Sequence, residues 1–416
     1  MSMSKKLADK KIQAPKAAPR SEAPLWRGPL KDGITFSLLS RFLVCRERFR
    51  LLVVRGLKPA SQFNHRLEYG TFWHLCEEMH AQGMEWEGPL DLHCQQLCQQ
   101  HPSAVEQIRH WRNVCAVQFP IYLDYWLDTG GGPPGTGMSG KEGSRPILWE
   151  TAFSVPYPLP SGRVVRLRGC WDAILAKGKG SGGGLYVQDN KTKGDVDEQQ
   201  IVRQLSFDLQ TMLYVVALEQ VLNTTGDDDK VTEGRLEGLR RWCARVKQEQ
   251  RKVVGVSYNV VRRPLSGGKG SIVRHKPSKQ KPEGESEKEF YIRLGEVIKE
   301  NADTFFMRWD VQINARDILR FRTQCLDPVL EQLCDWWEWV QYSPDDPFKP
   351  NPGPDGEEDE NMRLGLPYGL HWRHPFGVYN VLDEGGHHEL DEYLESGSEA
   401  GLERCTTLFP ELDRRP

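Results

Sequence analysis

The chain has 416 residues, 38% of them hydrophobic and 10% aromatic, enough to bury a large core, and its 55 lysines and arginines against 58 aspartates and glutamates leave a formal charge of −3. That balance excludes nucleic-acid binding through overall basicity, so any affinity for phosphate has to come from local patches. No apolar run approaches the roughly eighteen residues of a membrane helix, the first residues lack the apolar core of a signal peptide, and the ten cysteines form no dense framework, so the expectation is a cytoplasmic protein with reduced thiols and no membrane partner.

In chain order, residues 1–25 read as a disordered basic tail rich in lysine, alanine and proline. Residues 26–129 read as a helical block, with helical patterns over 35–57, 68–82, 91–100 and 103–127, and 130–145, with repeated glycine and proline, as a flexible linker. Strands follow: Ile147, Trp149, Thr151, Phe153 and Val155 alternate along one face until Pro156 ends the run, and a second run covers 164–174. That second run delivers Asp172; a turn-forming stretch over 177–184 then leads into Leu185-Tyr186-Val187-Gln188-Asp189-Asn190-Lys191-Thr192. Side chains alternate along a strand, so Asp189 and Lys191 share a side and Asn190 turns away. Two carboxylates and an ammonium are thereby aimed at one point, a trio able to hold a divalent cation and a water beside a phosphate. A long helix is expected over 196–223, with Leu205, Leu209, Met212, Leu213, Val216 and Ala217 as its apolar stripe and with Gln210 and Tyr214 on one face. Then come a strand over 253–261, a helix over 290–300, a strand over 305–313 and a helix over 314–341, whose Trp336, Trp337 and Trp339 read as core. Residues 343–416 form a Pro, Gly and acid-rich extension, and neither His371/His374 nor His387/His388 has further zinc ligands nearby. The order is α/β, a central mixed β-sheet flanked by helices, with an N-terminal helical block and C-terminal embellishments.

An acidic residue two before a lysine also occurs at Asp9/Lys11 and Asp228/Lys230, so context carries the weight. Asp189 follows an apolar run, where a carboxylate is costly unless it is paired or metal-bound. Upstream, Tyr69-Gly70-Thr71-Phe72-Trp73-His74 opens a helix; His74 is a candidate metal ligand, although a lone histidine on an apolar helix is more often a buried, hydrogen-bonded one.

Taken in order, Gly70/His74, Asp172, Asp189/Lys191 and Gln210/Tyr214 resemble the PD-(D/E)XK nuclease superfamily, specifically its RecB-type exonuclease branch, whose pattern is a Gly-x-x-x-His helix, an aspartate strand, an (Asp/Glu)-x-Lys strand and a Gln-x-x-x-Tyr helix. The serine-led helix from Gly33 to Phe49 is similar as well, and the likeness covers about 33–217. The resemblance implies a restriction-endonuclease-like core, here 146–342, with Asp172 and Asp189 ligating Mg²⁺ or Mn²⁺, the carbonyl of Asn190 adding a ligand and His74 completing the set. Lys191 would orient the attacking water or stabilise the developing charge, and Gln210 and Tyr214 would brace the site or hold the DNA backbone.

DNA is then the expected partner. Arg46 and Arg48 near the first helix, and Arg262 and Arg263 at the head of the run Lys269, Arg274, Lys276, Lys279, Lys281, are the expected DNA contacts, because clustered carboxylates need compensating cations around a polyanion. Some RecB-type relatives hold an iron–sulfur cluster on one cysteine before the core and three after it. Cys45 lies where the first would be, but no Cys-x-x-Cys pair follows, so Cys45 reads as a buried thiol. No Gly-x-x-x-x-Gly-Lys-(Ser/Thr) loop is present, so any helicase or recombinase would be a separate chain. An endonuclease of the same superfamily and an idle nucleic-acid-binding scaffold remain alternatives to an exonuclease in recombination, repair or a phage-related pathway.

Overall fold

The computed structural model describes residues 24–44, 46–54, 56–59, 63–128, 145–177, 184–194, 208–224, 251–264, 271–279, 282–342 and 402–405, with isolated positions at 196, 246 and 408. The expectations for 1–23, for the linker over 130–144, for 197–207, for the four histidines of the extension and for Cys45 fall outside these residues. The chain divides into two compact units, the larger built on 28–40 and 62–338 and the smaller on 24–27, 41–61, 339–342 and 402–408.

The larger unit is organised on a five-stranded sheet of order β2-β3-β4-β5-β6, formed by Arg145–Pro158, Val164–Lys177, Gly184–Lys193, Lys252–Arg262 and Phe306–Gln312. β4 and β5 run parallel and every other pair is antiparallel, so the sheet is mixed and flanked by helices. Pro156 does not end β2: the strand continues through it to Pro158, pairing Pro156 with Arg166. A proline costs no ladder bond on an edge strand whose N–H side faces away from its neighbour, and β2 is the sheet's edge.

The helix expected over 35–57 is shorter. α1 (Phe36–Val44) and α2 (Arg46–Phe49) lead into a π-helical turn, Arg50–Val54, and Leu57 already belongs to β1 (Leu57–Pro59). Gly56, at φ 70°, makes the turn between them, in a region that L side chains rarely adopt. In the smaller unit β1 pairs antiparallel with β7 (Leu402–Arg404), a strand the sequence did not signal, and Trp26, Phe49 and Phe42 meet edge to face.

α3 (His65–Ala81) begins where the Asn64 side chain accepts the Arg66 N–H at 3.0 Å. α3, α4 (Glu87–Gln100) and α5 (Val105–Asp128) bury Tyr69, Phe72, Trp73, Trp111, Phe119 and Tyr122 in one aromatic core, closed by Val261 of β5, Phe306 of β6 and Phe290, Leu294 and Ile298 of α7 (Glu287–Glu300). α6 (Leu209–Thr224) makes the crossover between the parallel strands β4 and β5. Its first turn is capped by Asp208, whose Oδ2 accepts the Thr211 N–H at 3.1 Å. Past the short α8 (Ala302–Phe305), the helix expected over 314–341 is two, α9 (Ala315–Phe321) and α10 (Asp327–Tyr342), joined by a π-helical turn, Arg322–Leu326. Trp336 and Trp337 are buried, in keeping with their reading as core.

Gly255 lies in β5 where a Cβ would stand 2.5 Å from the Val311 carbonyl oxygen and 2.6 Å from the Tyr186 ring. Gly255→Ala is therefore expected to destabilise the larger unit by about 1–3 kcal/mol, the cost of overpacking a filled site. Denaturant titration checks it, and an unchanged midpoint would mean that the sheet has room there.

Candidate metal and phosphate site at the fork of the sheet

β3 and β4 pair from Lys177↔Gly184 to Ala173↔Gln188 and no further. Beyond that point β3 keeps only β2 and β4 keeps only β5. The sheet forks, and the residues that would have paired next are Asp172 and Asp189. Across the gap the backbone N–H of Asn190 donates to Asp172 Oδ2 at 2.7 Å, a side-chain bond bridging two strands that no longer share a ladder.

On the β2 side, Trp149 pairs with Ala173 and Thr151 with Trp171, which sets Glu150 opposite Asp172. Glu150 is in the left-handed region at φ 41°, the one non-glycine residue with positive φ among those described. That conformation costs about 1–2 kcal/mol for an L-residue and turns Glu150 out of the ladder. Its carboxylate, that of Asp172 and a ring nitrogen of His74 offer ligand atoms that all lie within 4.8 Å of one another. His74 reaches the group from α3, which approaches β4 closely at Gly70: a Cβ there would sit 3.1 Å from Thr192 Oγ1.

The second arm of the fork carries the ammonium. Lys191 Nζ donates to Gln210 Oε1 at 2.6 Å and lies 3.1 Å from Asp189 Oδ2; Gln210 Nε2 in turn donates to the Tyr214 hydroxyl at 3.4 Å. The shared strand side of Asp189 and Lys191 and the shared helix face of Gln210 and Tyr214 are thus both realised. Asp189 is 1% exposed. Burial pushes its carboxyl pKa up to about 7, with Lys191 opposing the shift and Asp172 adding to it. Burial works to lower the Lys191 pKa, but Asp189 and Asp172 outweigh it, so the ammonium is held above its ordinary value. Burial raises the Tyr214 phenol strongly, with Asp172 contributing, which keeps it a neutral hydroxyl.

Three nearby acids carried no signal in the sequence pattern. Glu77 lies one turn beyond His74, with Oε2 3.8 Å from His74 Nδ1. Burial pushes its carboxyl up to about 8, and its Oε1 accepts from the Tyr122 hydroxyl at 3.0 Å and from Asn259 Nδ2 at 3.3 Å. Asp208 caps α6 within electrostatic reach of Asp189. Glu150 could not be found from its neighbours, because only the β2–β3 register sets it against Asp172.

Asn190 stands at the fork through its backbone, and the expected DNA contacts have other surroundings. The Asn190 side chain is buried and accepts from Gln188 Nε2 at 2.8 Å. Arg46 belongs to the smaller unit, its guanidinium 5.1 Å from the Phe42 ring centre; the Arg48 side chain falls outside the described residues. Arg262 lies over Phe305 and Arg263 over Trp111, at 5.6 and 5.1 Å from the ring centres. Of the basic run that follows, Lys269 and Lys281 fall outside the described residues, and Arg274, Lys276 and Lys279 are exposed.

The donor set suits a hard divalent cation, being two carboxylates and an imidazole. Beside it Asp189 Oδ2 is already paired with the Lys191 ammonium, but the buried Glu77 Oε2 receives no hydrogen bond, and an acceptor left unsatisfied in a low dielectric calls for a cation. A sequence model of the PD-(D/E)XK nuclease superfamily matches residues 34–325, a span that holds every residue of the fork. No curated protein matches the chain.

The raised Asp189 pKa has a consequence for stability. Between its ordinary 3.8 and about 7 the folded state holds a proton that the unfolded state has lost, so stability falls as pH rises through that window and stays lower above it. In chelator, Asp189→Asn is expected to melt above the wild type at pH 8 by a margin that shrinks toward pH 5. Thermal melts at the two values test this, and a margin independent of pH would show that Asp189 is ionised throughout.

Proposed function

Because the chain belongs to the PD-(D/E)XK nuclease superfamily, whose members hydrolyse phosphodiesters with divalent metal ions, we propose that it is a Mg²⁺- or Mn²⁺-dependent deoxyribonuclease of the RecB-type exonuclease branch. The observation that carries this reading is the fork, which sets a His74–Glu150–Asp172 group able to hold a cation beside the Asp189–Lys191–Gln210 chain. A cation bound there supplies Lewis-acid stabilisation of the phosphate and lowers the pKa of a water in its shell.

The chain's own residues do the rest. Asp172, Glu150 and His74 would hold the cation, with Asp189 available from the facing arm. Lys191, kept charged by its two carboxylate neighbours, points its ammonium at the place where negative charge develops as the phosphorus accepts the attacking oxygen. Gln210 fixes that ammonium through its 2.6 Å bond, so no reorganisation is needed when charge appears, and Tyr214 in turn braces Gln210. Glu77 steadies the His74 ring from below, as carboxylates do for metal-bound histidines. Arg262 and Arg263, at the end of β5, contact the DNA backbone.

Asp172→Asn, Asp189→Asn and Lys191→Ala should each lower cleavage by about 10² to 10³-fold or more while leaving the fold intact. End-labelled linear DNA and closed circular DNA, each with Mg²⁺ or Mn²⁺, provide the assay. Digestion confined to linear DNA supports the exonuclease, nicking of the circle replaces it with an endonuclease, and binding without cleavage in either metal sinks the nuclease reading.

His74→Ala should raise the metal concentration for half-maximal cleavage by roughly 10 to 100-fold, the loss typical when support of a metal site is removed, with partial rescue by Mn²⁺. A folded variant with an unshifted metal dependence in both ions would assign His74 to packing alone.

A further inference from the structure

Beside the fork lie two guanidiniums and an imidazole that the reaction chemistry does not use. The Arg263 guanidinium sits over the Trp111 ring, 5.1 Å from its centre. The His65 imidazole stacks on the same indole, with ring centres 5.5 Å apart and planes 12° from parallel. Arg66 is the next residue of α3 and is exposed. Arg66 lies within electrostatic reach of both Arg263 and His65. Burial lowers the Arg263 pKa, with Arg66 adding to the effect; burial likewise lowers that of His65, with Arg263 and Arg66 adding.

No ion pair with a described residue relieves this crowding at Arg66 or Arg263, and the buried Arg263 Nε has no acceptor. The nearest helical acid, Glu68, interacts with His101 instead. Crowded, uncompensated cations cost stability, and an anion that bridges two guanidiniums removes that cost. Arginine pairs suit phosphate because each offers a fork of N–H donors.

Position identifies which phosphate. The Arg263 backbone N–H donates to the Lys193 carbonyl at 2.6 Å, and Lys193 stands two residues past Lys191 on β4, roughly 7 Å along the strand. Arg66 stands two turns before His74 on α3, about 12 Å along the helix axis. α3, which delivers His74 to the fork, therefore also delivers Arg66, and the end of β5 fastens Arg263 to β4, which delivers Lys191.

We propose that Arg66 and Arg263, with His65 on the Trp111 platform, form a phosphate-binding site for the strand being cut, taking an internal backbone phosphate about two to four nucleotides from the scissile one at the rise of a DNA strand. The site rests on the nuclease reading and extends it, because it fixes the path of the substrate away from the fork along α3 and the end of β4. His65 and Arg66 lie far from Arg263 in sequence, and only the packing of α3 and β5 against Trp111 of α5 brings the three together.

The test is fluorescence anisotropy of short labelled single strands, one with a 5′-phosphate and one with a 5′-hydroxyl, bound to the full chain in chelator across a salt series. Arg66→Gln and Arg263→Gln should each bind both strands about three- to ten-fold more weakly, and the slope of log K against log salt should fall by about 0.7 for each lost contact. Thermal melts accompany the titration. Inorganic phosphate should raise the wild-type midpoint more than that of Arg66→Gln, and in phosphate-free buffer Arg66→Gln should melt no lower than wild type, since a like charge has been removed. Unchanged affinity and slope in folded Arg66→Gln overturns the site. A lowered midpoint with an unchanged slope overturns it in favour of packing, and weakening of the 5′-phosphorylated strand alone replaces the internal phosphate with a terminal one. Wild-type protein that binds neither strand overturns the nuclease reading and this site with it, whereas wild-type binding with indifferent variants removes this site only.

Discussion

The end of the β3–β4 ladder at Ala173↔Gln188 is the constraint on which the site depends. A continued ladder would press Asp172 and Asp189 together on adjacent strands, where like charges directly opposite one another destabilise a sheet. Parting the strands opens a cleft lined with acceptors, and the Asn190 N–H that loses its ladder partner is satisfied by Asp172 itself. The cost of the broken ladder and the orientation of the carboxylate are thus met by one bond. Glu150 on the edge strand makes the matching concession on the other side, leaving its own ladder through a strained backbone angle.

Charge balance explains why the fork needs both of its arms. Carboxylates brought into a site this poor in water raise one another's pKa and resist ionisation, as Asp189 and Glu77 do. Lys191 offsets part of that cost on one arm, and Asp189 and Asp172 keep the lysine charged in return. On the other arm the ligand atoms of His74, Glu150 and Asp172 converge within 4.8 Å of one another. A divalent ion is the natural complement. Such a site loads only when its ligands are deprotonated, so metal binding there would be coupled to proton release.

Rigidity comes from the helices around the sheet. α3 presents His74 because it lies on an aromatic core shared with α4 and α5 and because Gly70 permits its close approach to β4. α6 presents Gln210 and Tyr214 because Asp208 fixes its first turn. A site held by two helices and three strands spends little free energy on ordering when substrate binds, which is what preorganised charge stabilisation requires. Among the described residues no helix is long and apolar enough to cross a membrane.

Much of this was legible in the sequence. Alternation put Asp189 and Lys191 on one side of a strand, the four-residue spacing put Gln210 and Tyr214 on one side of a helix, and hydrophobic periodicity located the helical block and the α/β order, because these are local consequences of backbone geometry. Irregular points were not legible. Pro156 reads as a strand end unless the strand is known to be an edge; the early end of the helix over 35–57 and the break in that over 314–341 are π-helical turns that apolar periodicity passes over. Glu150 and Glu77 were hidden for a different reason. A carboxylate becomes part of a site only when register or helix packing sets it against a partner distant in sequence, as the β2–β3 ladder sets Glu150 against Asp172 and as Asn259 and Tyr122 hold Glu77 beneath His74. The sequence by itself determined which residue types were available and which neighbours shared a face; tertiary structure alone decided where the strands part, which carboxylates converge and which cations crowd beside them, since those depend on distances between segments that no local periodicity encodes.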